Sequence, residues 1–197
     1  MENQNTLHPA FTSNYYLFRR KVWKLFGGAF HIYDEQKRLL FYARMKAFKL
    51  REDFSVFADE SMSQELLRIK TPQILDLGAT YYVQDSTTGE QVGALRRKAL
   101  KSIIKDEWIF LSPDQREIGK LTENSMGGAL LSRFIKLIPQ KYVVRGRDER
   151  DIVAIKGHFD PFVHKISMWI PDANPVIDRR LIIAAGVMLL AIEGRQQ

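Results

Sequence analysis

The chain closes on DRRLIIAAGVMLLAIEGRQQ, and from Leu181 to Ile192 it carries no polar side chain. A helix that is hydrophobic on every face belongs either in a protein core or in a membrane. Length separates the two, because a bilayer core of ~30 Å needs about 20 apolar residues to cross it. At ~1.5 Å per residue this run reaches about 18 Å, which suits a buried core helix. Asp178 is placed as its N-cap and Gly194 as the residue just past its last turn. The expectation is a helix over 179–193, enclosed on all sides by the rest of the chain.

What encloses it can be read from the residues before it. Apolar residues there come in short runs rich in β-branched and aromatic types, broken by turn residues, which reads as an antiparallel meander. In YYVQDSTTGEQVGALRR, Tyr81 to Gln84 form a strand, Asp85 to Gly89 a turn, and Gln91 to Arg96 the return. The stretches Phe30 to Arg44, Trp108 to Glu123 and Tyr142 to Gly157 repeat that layout: an apolar limb, a charged turn with Asp, an apolar return. With NYYLFRRKVWKLF at the start, FKLREDFSVFAD and ELLRIKTP between the hairpins and HKISMWIP near the end, the tally is about twelve strands. Eight strands close on their own side chains, whereas a wider barrel has room for a central helix. The fold class expected is therefore mainly β: a closed antiparallel barrel of about twelve strands around the C-terminal helix. Met126 to Ile138 is expected as a surface connector helix, residues 1–13 as a flexible tail, and 14–197 as one domain.

The basic-aromatic first strand, the repeated YYVQDSTTGEQVGALRRK-type hairpins and the terminal helix preceded by SMWIPDANPVIDRR together resemble the tubby C-terminal-like superfamily. Within it, the likeness is to the LURP-one-related and phospholipid scramblase branch. The resemblance implies a twelve-stranded barrel around a hydrophobic helix, and phosphoinositide binding through basic residues on the barrel. It does not extend to a scramblase's proline-rich arm, cysteine cluster or acidic calcium-binding stretch. Here Asp172 and Asp178 stand beside Arg179 and Arg180, which falls short of the oxygen set that calcium takes. No calcium switch and no cofactor are expected.

Charge points to partners. The formal net charge is +7 and the pI about 9.6, a balance that favours polyanions. The densest cluster is Arg96, Arg97, Lys98, Lys101 and Lys105. It reads either as a site for an anionic lipid headgroup or as a solvated sheet face. Arg19, Arg20, Lys21 and Lys24, beside Trp23, form a candidate surface for a membrane or another polyanion, or else a charged edge strand. His158, Asp160 and His164 in HFDPFVH are ligand types without a third strong ligand, so no metal site is expected. No nucleophile, base and acid come together with local support, and the chain is read as non-enzymatic. The absence of cysteine excludes a disulfide-linked partner. A polar N-terminus with no apolar leader pattern gives a cytoplasmic expectation, peripheral on the inner membrane surface. The function expected is binding of an anionic phospholipid. Nucleic-acid binding and scrambling by a membrane-inserted C-terminal helix are the alternatives.

Overall fold

The structure, a computed structural model, describes residues 7–21, 28–46, 53–72, 78–98, 107–124, 140–160 and 162–193. The expected connector helix at 126–138 lies outside these residues, as do Lys24, Lys101, Lys105 and Gly194. The strands are β1 (Tyr15–Lys21), β2 (Ala29–Tyr33), β3 (Leu39–Lys46), β4 (Asp53–Phe57), β5 (Glu65–Lys70) and β6 (Thr80–Asp85). They continue as β7 (Gln91–Lys98), β8 (Glu107–Leu111), β9 (Glu117–Glu123), β10 (Lys141–Gly146), β11 (Asp151–His158) and β12 (Val163–Trp169). Each pairs antiparallel with its neighbour in sequence, and β1 pairs with β12 to close a barrel of twelve strands. The four expected hairpins are β2–β3, β6–β7, β8–β9 and β10–β11.

Strand alternation sorts side chains between lumen and solvent. On β3, Phe41, Ala43 and Met45 are buried while Tyr42 and Arg44 lie toward the outside. The β6–β7 turn shows why its sequence turns. Asp85 Oδ1 accepts from the backbone N–H of Thr87 at 2.8 Å and of Thr88 at 3.2 Å, and Gly89 takes a φ of 78°. On β7, Gly93 sits at φ 153°, and a Cβ there would lie 2.4 Å from the Leu111 carbonyl oxygen. Only glycine tolerates both.

The lumen holds α1 (Arg179–Glu193). Asp178 caps it, its carboxylate accepting from the Arg180 N–H at 2.8 Å and its carbonyl from Leu181 and Ile182. Every residue from Leu181 to Ala191 is buried. Leu181, Ile182, Ile183, Val187, Met188, Leu189 and Leu190 are the large side chains among them. At roughly 1.5–3 kcal/mol for each complete burial, their gross contribution is on the order of 10–20 kcal/mol. That is comparable to the whole net stability of a domain, about 5–15 kcal/mol. Among the described residues, no helix is long and apolar enough to cross a membrane.

The chain direction gives the barrel two unlike ends. The hairpin turns β2–β3, β4–β5, β6–β7, β8–β9 and β10–β11 share one end, where α1 begins, called here the turn end. α1 runs from it toward the opposite, distal end. The expectation of a tail over residues 1–13 needs correction for residues 7–13. Pro9–Thr12 form a 3-10 turn, Phe11 is buried against Phe41 with ring centroids 4.8 Å apart, and Tyr16 donates to the Ala10 carbonyl. Arg179 holds this segment down by donating to the carbonyls of Phe11 and Ser13. An apolar side chain and two backbone acceptors thus close the turn end of the barrel.

Candidate functional site

Charge is divided along the barrel axis. Each of the five hairpin turns at the turn end carries a carboxylate: Asp34 and Glu35, Asp59 and Glu60, Asp85 and Glu90, Asp114, then Asp148 and Glu149. Most have cations beside them, as in Asp34–Arg38 at 2.6 Å, Asp148–Arg150 at 2.9 Å and Glu149–Lys120 at 2.6 Å. The distal end carries the cations. Exposed Arg19, Lys70, Arg96, Lys98, Lys141 and Lys156, with half-buried Arg97 and Lys165, lie in the distal halves of their strands. Among the described residues, Lys98 pairs with Glu107 at 2.9 Å and Lys165 with Asp160 at 2.5 Å.

The cationic residues singled out in the sequence do not form one patch. Arg96 and Lys98 project outward from β7, with Arg96 Nε 3.3 Å from Thr80 Oγ1, whereas Arg97 has the inward parity of Leu95. Lys101 and Lys105 are outside the described residues. Arg19 is exposed on β1, its guanidinium 5.8 Å from the Tyr33 ring centroid. In the barrel order β1 and β7 stand six places apart in a ring of twelve, so the two clusters share the distal end from opposite sides. Lys141, Lys156 and Lys165 were missed because each is isolated along the chain. Pairing brings Lys141 opposite Lys156, and Arg19 opposite Lys165, on the outer wall. Period-two alternation in β10, β11 and β12 is the signal that could have found them.

Arg20 leaves the surface set. Its alternation matches Tyr16 and Phe18, so it points into the lumen, where Nη1 donates to the Ala191 carbonyl at 3.0 Å and the guanidinium lies 5.4 Å from the Phe30 ring centroid. A cation at a helix C-terminus meets carbonyls without helical partners and the negative end of the helix dipole. That is a structural cap, not a polyanion contact.

The three ligand types of HFDPFVH diverge. His158 is on the outer wall, its Nε2 hydrogen-bonded to Ser167 Oγ at 2.6 Å, while the Asp160 carboxylate bonds Lys165. His164 faces inward opposite Arg20, its buried Nε2 without a hydrogen-bond partner among the described residues. Burial, and then the Arg20 charge, hold His164 below the ordinary histidine value, against a smaller opposing effect of Asp160. His158 is lowered by burial and then by Lys156 and Lys165. Both therefore favour the neutral ring in the folded state. Their contribution is complete above the unfolded value, about 6.5, and is lost as pH falls below it toward their folded values. The melting temperature is expected to drop between pH 7 and pH 5. His164→Gln should flatten that drop in a pH series of thermal melts, and an unchanged slope would clear His164 of any part in it.

A cavity of ≈ 490 Å³ at the turn end is lined by Phe11, Asp85, Glu90, Asp178, Arg179 and Arg180, among others. Its charges satisfy one another: Arg180 bonds Asp85, Glu90 and Asp178, and Arg179 bonds backbone carbonyls. Burial raises the Asp85 carboxyl, but hydrogen bonds from Thr87 and Arg180 outweigh it and leave Asp85 below the usual carboxylate range. This is a structural network that locks α1 to the wall. The distal surface, where exposed cations outnumber nearby carboxylates, is the candidate site.

A family model described as LURP-one-related matches residues 39–190. That span runs from the first residue of β3 nearly to the end of the buried helix. No curated protein matches the chain.

Proposed function

Because this chain belongs to the LURP-one-related family, within the tubby-like superfamily, we propose that it is a non-enzymatic binding module that docks its distal end on anionic phospholipid membranes. The observation that carries this reading is the division of charge along the barrel axis. Most carboxylates at the turn end have cations beside them, whereas the distal end presents cations on β1, β5, β7, β10, β11 and β12. Near an anionic leaflet each Lys or Arg contributes about 1 kcal/mol, so several acting together give measurable binding that salt weakens. On this reading the protein sits at the inner membrane surface as a peripheral protein, with α1 remaining inside the barrel.

Co-sedimentation with phosphatidylserine or phosphoinositide vesicles tests it. Binding is expected at low salt and reduced binding at moderate salt. The pair Lys141→Glu and Lys156→Glu should lower affinity by up to about 1,000-fold, given about 1 kcal/mol per charge removed and as much again for its reversal. Failure to bind either vesicle in low salt defeats the reading. So does tight binding to DNA or RNA with a steep salt slope when vesicles are ignored.

A further inference from the structure

The turn joining β11 to β12 exposes two phenylalanines, Phe159 at 54% and Phe162 at 61%. Every other described phenylalanine is buried or half-buried. The turn does not need those rings for its shape. Asp160 makes it, with Oδ1 accepting from the N–H of Phe162 at 2.9 Å and of Val163 at 3.1 Å, and Oδ2 from Lys165 Nζ at 2.5 Å. One carboxylate clamps the backbone while an aromatic ring stands on either side of it.

The turn lies at the distal end, and the strands beneath it carry a collar of cations. Arg19 on β1 stands opposite Lys165 on β12, and Lys156 on β11 opposite Lys141 on β10. Asp160 compensates Lys165, but like charges directly across a strand pair lower folding stability, so fold alone does not favour Lys141 opposite Lys156. The fields of Lys156 and Lys165 converge on His158, the last residue of β11. An apolar tip above a cationic collar matches the order of layers in a membrane surface, with the acyl boundary beneath anionic headgroups.

We propose that the β11–β12 turn inserts Phe159 and Phe162 into the acyl boundary of an anionic bilayer, while Arg19, Lys141, Lys156 and Lys165 engage the headgroups. The proposal rests on the distal end being the membrane-docking surface, and it adds an orientation and a depth to that reading. The barrel axis then meets the membrane tilted toward the β1, β12, β11 and β10 side, with the β7 cations further from the leaflet.

The chain has no cysteine, so a single introduced thiol can be labelled cleanly. Phe162→Cys carrying an environment-sensitive fluorophore should shift to the blue on adding phosphatidylserine vesicles, and lipids with a quencher high on the acyl chain should quench it. The same label on Glu35→Cys, at the turn end, should do neither. The double variant Phe159→Ser/Phe162→Ser should melt like the parent, since both rings are exposed, yet bind the vesicles roughly 10- to 100-fold more weakly. Its residual binding should stay salt-sensitive. If the parent binds but the label does not shift and the double variant binds as tightly, insertion is wrong and docking stands. If the parent ignores the vesicles, both ideas fall. Loss of single-stranded RNA binding in the double variant, with vesicle binding unchanged, would make the turn a base-stacking platform and overturn insertion.

Discussion

Arg180→Met is expected to lower the unfolding free energy by about 3–5 kcal/mol, the usual cost of removing one partner from a buried ion pair. Arg180 Nη1 lies 2.8 Å from Asp85 Oδ2 and 2.8 Å from Glu90 Oε2, and Nη2 lies 2.7 Å from Asp178 Oδ2. Asp85 is buried, so losing the guanidinium leaves a carboxylate held only by Thr87 and Thr88 among its described partners. It also unties the first turn of α1 from the β6–β7 hairpin. Lysine should rescue little, because one ammonium cannot fork among three carboxylates. Asp85 titrates low in the folded state, so its contribution is present above the unfolded value of about 3.8 and is lost as pH falls through the folded one. In Arg180→Met that acid limb should move to higher pH. Urea denaturation of the parent, Arg180→Met and Arg180→Met/Asp85→Asn measures the effect. A loss below about 1 kcal/mol would mean that water reaches Asp85 as soon as the arginine leaves.

Gly186→Leu should prevent folding to a stable barrel. A Cβ at Gly186 would lie 2.5 Å from Phe18 Cζ, 2.8 Å from Phe18 Cε1 and 2.9 Å from Met168 Cε. The helix is pressed here against β1 and β12, and close-packed interiors accept an added methylene poorly, at a cost of typically 1–3 kcal/mol. A leucine adds four carbons to a site that cannot accept the first. Gly186→Ala is the graded version, because alanine recovers about 1 kcal/mol of helix propensity against the overlap. The Met168 side chain can swing away, but the Phe18 ring is wedged between strand and helix, so a net loss of about 1–2 kcal/mol is expected. Phe18→Leu combined with Gly186→Ala should recover part of it. A Gly186→Ala protein more stable than the parent would show that the wall yields at this point.

The site was less legible in the sequence than the fold. Arg96, Arg97 and Lys98 attract notice because they are adjacent along the chain, yet β7 turns one of the three inward and pairs another with Glu107. Lys141, Lys156 and Lys165 attract none, since no other Lys or Arg adjoins any of them. Surface charge is a property of spatial neighbours, which in a meander lie about one hairpin length apart in sequence and, at the β1–β12 seam, nearly the whole chain apart. The exposed Phe159 and Phe162 were hidden for a related reason, because an aromatic residue in an all-β chain is usually core.

Local chemistry alone determined the hairpins, the Asp178 cap and the buried helix. Turn residues and period-two alternation act over a few neighbours, and a run apolar on every face can be satisfied only by complete enclosure. Tertiary structure decided everything that depends on which strand meets which. It sent Arg20 inward to the last carbonyls of α1 while leaving Arg19 outside, drew Leu7 to Ser13 over the turn end, and gathered the cations at the other. Alternation fixes that consecutive side chains face opposite ways. Which of the two faces the lumen is set by closure of the barrel around its helix, and closure is a long-range event.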